Sequence, residues 1–475
     1  MATPLPEVGL SLTLREVAEA TGGALYGDPA LSFTGLSTDS RAIAEGALFV
    51  ALRGERFDGH DHLASARARG AGAAIVERGR GDGPRVEVDD TLRALASLAA
   101  ARLDRARVSG PLAVAAVSGA VGKTSTKELL AAAFDAVWPS AHPTRGNLNN
   151  LVGAPLTVLS MPDDARSLVV ECGSNARGEI ARIAAMVRPD VAVVTNADAA
   201  HTEGLGSIEA VAEEEGSLFA YATRAVVGNA DEALSRAQMV RAQEGVARWL
   251  FGVAPAADAR VVSRVVTDGG RARVTVALSD PLCPGCGEVV VETGLLGPAA
   301  AVNLAAALCA VAAMGASVDA VRAAARALGS ARAAPGRLVP REVGGVLVID
   351  DTYNASPRAV RAALAAAREV ADARGARLVV ALGDMLELGA LAAEMHAAAV
   401  RDVEASGAAL LVAVGPEMTA AAARASVRAI VASDSAKGAE ALAAEARPGD
   451  VVLVKGSRGV RMERCVEAVV GGSAP

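Results

Sequence analysis

Eight consecutive residues, Ser118-Gly119-Ala120-Val121-Gly122-Lys123-Thr124-Ser125, combine what a phosphate group needs: main-chain amides free of side-chain bulk, and a cation at a helix start. They follow an apolar, strand-like run at residues 112–117 and precede a helix-like run at residues 126–134. In such a strand, loop and helix turn, the N–H groups and the helix N-terminus form an anion cradle. Lys123 is then placed to neutralise β- and γ-phosphates, and the Thr124 hydroxyl to ligate Mg2+. The usual spacing puts a glycine at position 117, where this chain has Val117, so the loop is a short variant. A glycine turn that only joined strand to helix would not require Lys-Thr at the helix start, and nucleotide binding is the expectation.

Further along, Glu171 ends the buried-strand pattern Val169-Val170-Glu171, and strand C-termini in an open α/β sheet face the ligand crevice. A carboxylate there is either a solvated edge residue or, beside a phosphate loop, a metal ligand. His201 follows a strand-like run at 191–194, inside Asn196-Ala197-Asp198-Ala199-Ala200-His201-Thr202-Glu203-Gly204, and a lone loop histidine is often incidental. Glu213, Glu214 and Glu215 are consecutive on a helix-like stretch, so about 200° of helix is swept, at most two can face a site, and the default is a solvated acidic face. Asp350-Asp351 and Lys455-Gly456-Ser457-Arg458 each close an apolar run, and both are expected to point into a cleft. Arg337, at a junction between units, suits either a transferring phosphate or a hinge ion pair.

These groups require elements that hold them. At 475 residues the chain should form about three domains of ordinary size. The balance of 47 Lys+Arg against 54 Asp+Glu gives a net charge of −7, which disfavours nucleic acid as the main ligand. The aromatic share of 2% beside abundant alanine implies cores of small aliphatic side chains. Residues 1–108 alternate short strand and helix patterns, a small α/β unit. Residues 109–333 read as a parallel α/β sheet with an antiparallel β appendage between about 260 and 295. Residues 334–475 repeat the strand and helix rhythm as a second doubly wound, Rossmann-like sheet. That unit lacks the glycine fingerprint of dinucleotide sites after its first strand.

Five scattered cysteines, Cys172, Cys283, Cys286, Cys309 and Cys465, read as reduced thiols, with Cys283-Pro-Gly-Cys286 lacking a second ligand pair for zinc. Residues 293–318 carry no charge and are long enough to span a membrane, but the Gly297-Pro298 start, Asn303 and the excess of alanine over leucine indicate a buried helix. No basic-then-apolar leader opens the chain, and a cytoplasmic protein without membrane insertion is expected.

Taken together, these segments resemble the Mur ligase family over nearly the whole chain. The resemblance is carried by Thr38-Asp39-Ser40-Arg41, Asp58-Gly59-His60, the phosphate loop, Thr144-Arg145-Gly146-Asn147-Leu148-Asn149-Asn150 and His201-Thr202-Glu203-Gly204. Asp350-Asp351-Thr352-Tyr353-Asn354, Gly383-Asp384-Met385-Leu386-Glu387-Leu388-Gly389 and Lys455-Gly456-Ser457-Arg458 extend it, the first two marking the members that add D-alanyl-D-alanine. It implies ATP-dependent joining of D-alanyl-D-alanine to UDP-N-acetylmuramoyl-tripeptide through an acyl phosphate, for cell-wall precursors, by a monomer using ATP and Mg2+. Gly119, Gly122, Lys123, Thr124 and Ser125 would hold the phosphates; Thr124, Glu171 and His201 the metal; Asn147, Arg337 and Asp351 the reacting phosphoryl group and nucleotide; Asn303 and Tyr353 the adenosine. Ser40 and Arg41 would meet the uridine nucleotide, with Asp384, Lys455, Ser457 and Arg458 as further substrate contacts.

Two departures stand out. The family pattern Gly-x-His-Asn-x-x-Asn reads here Gly297-Pro298-Ala299-Ala300-Ala301-Val302-Asn303, leaving only Asn303. The family also places a CO2-carbamylated lysine where this chain aligns Glu215, whose permanent carboxylate is expected to reach the metal through water or a small helix shift, without CO2. A sibling or folylpolyglutamate-type ligase with a different acceptor would differ in which amine triggers phosphate release. A nucleotide-gated binding module would bind ATP without acceptor-dependent ADP formation.

Overall fold

The computed structural model describes Val8 and residues 11–54, 57–197, 205–266 and 271–471. The described residues form three α/β units in chain order. In the first, β1 (Leu12–Thr13) and β3 (Ser32–Phe33) make an antiparallel ribbon. Beside it, β2 (Ala24–Tyr26), β4 (Leu36–Ser37), β5 (Leu48–Val50), β6 (Ala73–Glu77) and β7 (Arg85–Val88) form a sheet of order β2-β7-β6-β5-β4.

The long helix Thr91–Ser109 follows, capped by Asp90, whose carboxylate accepts from the Leu92 and Arg93 N–H groups. Its Leu95, Leu98 and Leu103 are buried in one apolar cluster that runs from Leu14 and Ile75 to Leu168 and Ile183. The helix therefore serves two units.

The central sheet contains β8 (Ala113–Ser118), β9 (Ala141–Pro143), β10 (Ser167–Glu171), β11 (Val191–Val194), β12 (Ala225–Asn229) and β13 (Ala247–Gly252). It continues through β14 (Ala259–Val266), β15 (Ala272–Leu278) and β16 (Gly287–Thr293), in the order β16-β15-β14-β13-β12-β11-β8-β10-β9. Every residue of β8 is buried, as a strand covered on both faces must be. The expected antiparallel appendage exists, but it is not separate. Phe251 and Gly252 pair in parallel with Ala259 and Arg260, so the hydrogen-bond ladder runs on into β14, β15 and β16.

The uncharged segment forms the helix Pro298–Ala313 with Gly297 as its N-cap. Among the described residues no helix is long and apolar enough to cross a membrane. In the third unit β17 (Val339–Val343), β18 (Val346–Asp351), β19 (Leu378–Gly383), β20 (Leu410–Val414), β21 (Ala429–Ala432) and β22 (Val451–Lys455) take the order β17-β18-β22-β19-β20-β21. Only the β17–β18 pair is antiparallel among the described strands of this sheet.

One expectation about the cysteines is corrected. Cys283 and Cys286 are joined as a disulfide, while Cys172, Cys309 and Cys465 are free and buried. The turn that follows β15, in which the Leu282 and Cys283 N–H groups both donate to Ser279 O, brings the two Cα atoms to 5.5 Å, within bridging range.

Candidate functional site

The phosphate loop leaves β8 at Ser118 and enters the helix Lys123–Asp135, which begins three residues earlier than its apolar pattern suggested. Gly119 has φ +133°, and a Cβ there would sit 2.0 Å from Thr195 Oγ1, so no larger residue fits. Gly122, at φ +89°, precedes the helix. The loop is braced from β11's end. Thr195 Oγ1 and Asn196 Nδ2 both donate to Val121 O at 2.7 Å, and the Val121 N–H donates to Asn196 Oδ1 at 2.9 Å. Lys123 Nζ folds back to donate to Gly119 O.

Glu171 ends β10 beside β8 and is buried, so the solvated-edge alternative is excluded. Its N–H donates to Thr144 Oγ1 at 3.0 Å. Its Oε1 accepts from Thr124 Oγ1 at 3.1 Å and from Asn149 Nδ2 at 2.8 Å. Its Oε2 is buried with no hydrogen-bond partner among the described residues. An orphaned carboxylate oxygen beside a threonine hydroxyl, both at the mouth of an anion cradle, is an oxygen donor set of the kind a hard divalent cation takes, so these residues fit Mg2+.

Of the three glutamates on the helix Ile208–Gly216, Glu213 is exposed and the other two turn inward, so the default of a solvated face fails for two of them. Glu214 receives the Gly178 and Ile180 N–H groups at the start of the helix Glu179–Val187. Glu215 sits under the phosphate loop. Its Oε2 accepts the Gly119 N–H at 2.7 Å, and its Oε1 lies 3.8 Å from Lys123 Nζ. Burial pushes its carboxyl up, opposed by the Lys123 charge and the Gly119 N–H.

Across from the cradle, the third unit closes a cavity of about 450 Å3. Arg337 reaches over it, donating from Nη2 to Thr124 Oγ1 at 2.9 Å with its guanidinium 4.3 Å from the centre of the Tyr353 ring. Asp351 and Lys455 form a buried pair at 2.6 Å, where the neighbouring ends of β18 and β22 meet. Lys455 Nζ also donates to Asn354 O, and Asp351 Oδ1 accepts the Leu338 N–H. Asn147, Ser125, Asn303 and Tyr353 line the same cavity. Ala299 and Ala300, which stand where the family pattern has His-Asn, line it too, as do Ala359 and Ala363 of the helix Pro357–Arg374.

Other residues singled out from the sequence lie elsewhere. Asp384 is buried, accepting the Met418 N–H at 2.8 Å, because the helix Pro416–Ala422 starts there and needs an acceptor. Ser457 is buried, and its Oγ accepts the Leu386 N–H. Arg458 is exposed beyond the end of β22. None of these three lines the cavity. Ser40 and Arg41 sit in the first unit, where the exposed Arg41 guanidinium grips Asp39 and holds that carboxyl down at about 2. His201 lies outside the described residues.

Sequence reasoning missed the bracing of the loop by Thr195 and Asn196 and the buried Lys127. Polar residues directly after a buried strand, and a lysine one helical turn beyond Lys123, were the available signals.

A glycine cradle completed by a second doubly wound unit defines the class as P-loop nucleotide-dependent enzymes whose site lies between α/β domains. The family models place it further: Mur ligase family, catalytic domain, matches residues 32–103; Mur ligase middle domain, 117–311; and Mur ligase, glutamate ligase domain, 336–458. The chain is 36% identical to the UDP-N-acetylmuramoyl-tripeptide--D-alanyl-D-alanine ligase of Escherichia coli (strain K12), over 82% of each chain. It superposes on MurF from Acinetobacter baumannii with TM-score 0.87 at 27% identity, covering 98% of this chain and 100% of that one. With MurF from Thermotoga maritima in complex with ADP the TM-score is 0.79 at 30% identity, covering 92% and 97%. This chain belongs to the Mur ligase family.

Proposed function

We propose that this chain is the ATP-dependent ligase that adds D-alanyl-D-alanine to UDP-N-acetylmuramoyl-tripeptide in peptidoglycan precursor synthesis, acting in the cytoplasm where ATP is supplied. The observation that carries the reading is the cavity walled by the phosphate loop on one side and by Arg337, Asp351 and Lys455 on the other.

A carboxylate is a poor electrophile, and its oxygen is a poor leaving group. Phosphorylation of the tripeptide's terminal carboxylate by the γ-phosphoryl group of ATP repairs both defects, giving ADP and an acyl phosphate. The D-alanyl-D-alanine amine then attacks the acyl carbon, phosphate departs, and no covalent enzyme intermediate is needed.

The loop amides of Gly119 to Ser125 and Lys123 hold the β- and γ-phosphates where charge shifts during transfer. Thr124 and Glu171, with His201, would hold Mg2+, which when bound neutralises charge on the transferred group. Glu215 keeps a carboxylate beside Lys123 and the Gly119 amide, from where it would reach the metal through water or a small helix shift, so the site works without CO2. Arg337 and Asn147 face the phosphoryl group, and Asp351 keeps Lys455 aimed at the cavity. Asn303, Tyr353 and the alanine-lined slot take the adenosine, apolar contact replacing the His-Asn pair.

Residues 1–108, with Ser40 and Arg41, bind the uridine nucleotide; 109–333 bind ATP; and 334–475 present the acceptor. Asp384 and Ser457 act on the acceptor end by positioning the 384–388 loop, with Arg458 at its rim. Closure excludes water that would hydrolyse the acyl phosphate.

The test is ADP release from UDP-N-acetylmuramoyl-tripeptide with and without D-alanyl-D-alanine, expected only when both are present. Lys123→Ala should lower turnover by about 10²–10³-fold while retaining binding of the uridine substrate. Normal ligation by that variant would overturn the assignment of the loop.

A further inference from the structure

Lys127 lies one turn beyond Lys123 on the helix Lys123–Asp135, and it is 1% exposed. Burying an ammonium group is costly, and an apolar side chain of equal volume would pack as well. The adjacent Glu128 forms an ion pair with it, but neighbours in sequence do not face each other on a helix, so helix formation does not explain the residue.

The other contact of Lys127 leads to the site. Its Nζ donates to Thr144 O at 2.8 Å. Thr144 is buried, its N–H donates to Val169 O on β10, and its Oγ1 accepts the Glu171 N–H at 3.0 Å. From Thr144 the chain runs on to Asn149, whose Nδ2 donates to Glu171 Oε1 and whose carbonyl accepts the Gly173 N–H. The ammonium thus fixes a threonine that holds Glu171 by its main chain and begins the loop that holds it by its side chain.

We infer that Lys127 is a positioning residue which, through Thr144, sets the Glu171 carboxylate oxygens for a divalent cation. The inference rests on the nucleotide-and-cation reading of the cavity. Lys127 touches neither substrate nor cation. It acts by removing the freedom of the Thr144 hydroxyl and of the 145–150 loop.

The test uses the full chain and a readout that is not catalytic. Mn2+ binding in the presence of a saturating nonhydrolysable ATP analogue is followed by electron paramagnetic resonance, and analogue binding in EDTA by calorimetry. Lys127→Met and Thr144→Val should weaken Mn2+ binding by about 10-fold or more, while Thr144→Ser restores it. Analogue binding in EDTA should be unchanged in all three, because the loop amides and Lys123 are untouched. Should Lys127→Met not fold, Thr144→Val, which leaves the Lys127 contact in place, decides. Natural Mn2+ affinity in a folded Lys127→Met or in Thr144→Val overturns the inference; so does equal weakening in Thr144→Ser, or loss of metal-free analogue binding in step with Mn2+. Failure of acceptor-dependent ADP release by the natural chain would sink the ligase reading instead and leave this comparison intact.

Discussion

The two junctions of the central unit are built on different physics. Toward the first unit, the helix Thr91–Ser109 buries Leu95, Leu98 and Leu103 in a core shared by both sheets, with Arg102 capping Met161 O and pairing with Asp163 at its edge. Toward the third unit the contacts are largely polar: Arg264 with Glu369, Arg358 with Glu232, and Arg337 with Thr124. Apolar contact there includes Leu296 and Gly297 against the helix Pro357–Arg374. Burial of apolar area is lost in full when such surfaces part, whereas partly exposed ions recover water. The first junction is therefore expected to be the more costly to part, and the second the less costly.

Truncating the shared helix attacks that contrast hardest. Leu103→Ala should cost about 2–5 kcal/mol in urea unfolding, with probes in the first and central units reporting one common transition. Separate transitions would show that the shared core does not couple them. At the other junction Glu369→Arg should change stability by no more than about 1 kcal/mol yet enlarge the radius of gyration in X-ray scattering, and adding Arg264→Glu should restore compactness. An unchanged scattering profile for the single variant would remove the ion pair from the account of opening. The smallest effect is a null: depleting CO2 and then adding bicarbonate should leave the ligation rate unchanged, because Glu215 carries its own carboxylate. Stimulation by bicarbonate would contradict that role.

The cradle was legible in the sequence because its causes are local. A buried strand, two glycines and a Lys-Thr helix start lie within a dozen residues, and Glu171 followed from its place at a strand end. The three-unit α/β architecture was legible from the changing rhythm of apolar runs. What escaped depends on partners distant in the chain. Alternation at 273–278 marks a half-buried strand but says nothing of the β13–β14 pairing that ties it to the main sheet. Glu214 read as part of a solvated acidic face, and the bond of Glu215 to the loop was not foreseen beside its expected reach to the metal, because the main-chain N–H groups they receive, at Gly178, Ile180 and Gly119, come from other turns of the chain. The bond from the Met418 N–H to Asp384 escaped for the same reason: the two residues lie 34 positions apart.

The close seat of Gly119 against Thr195, together with the paired bonds from Asn196 to Val121, moors the cradle to the chain that leaves β11. Displacement of Val121 on phosphate binding would consequently strain the Thr195 and Asn196 bonds, without any contact across the cavity.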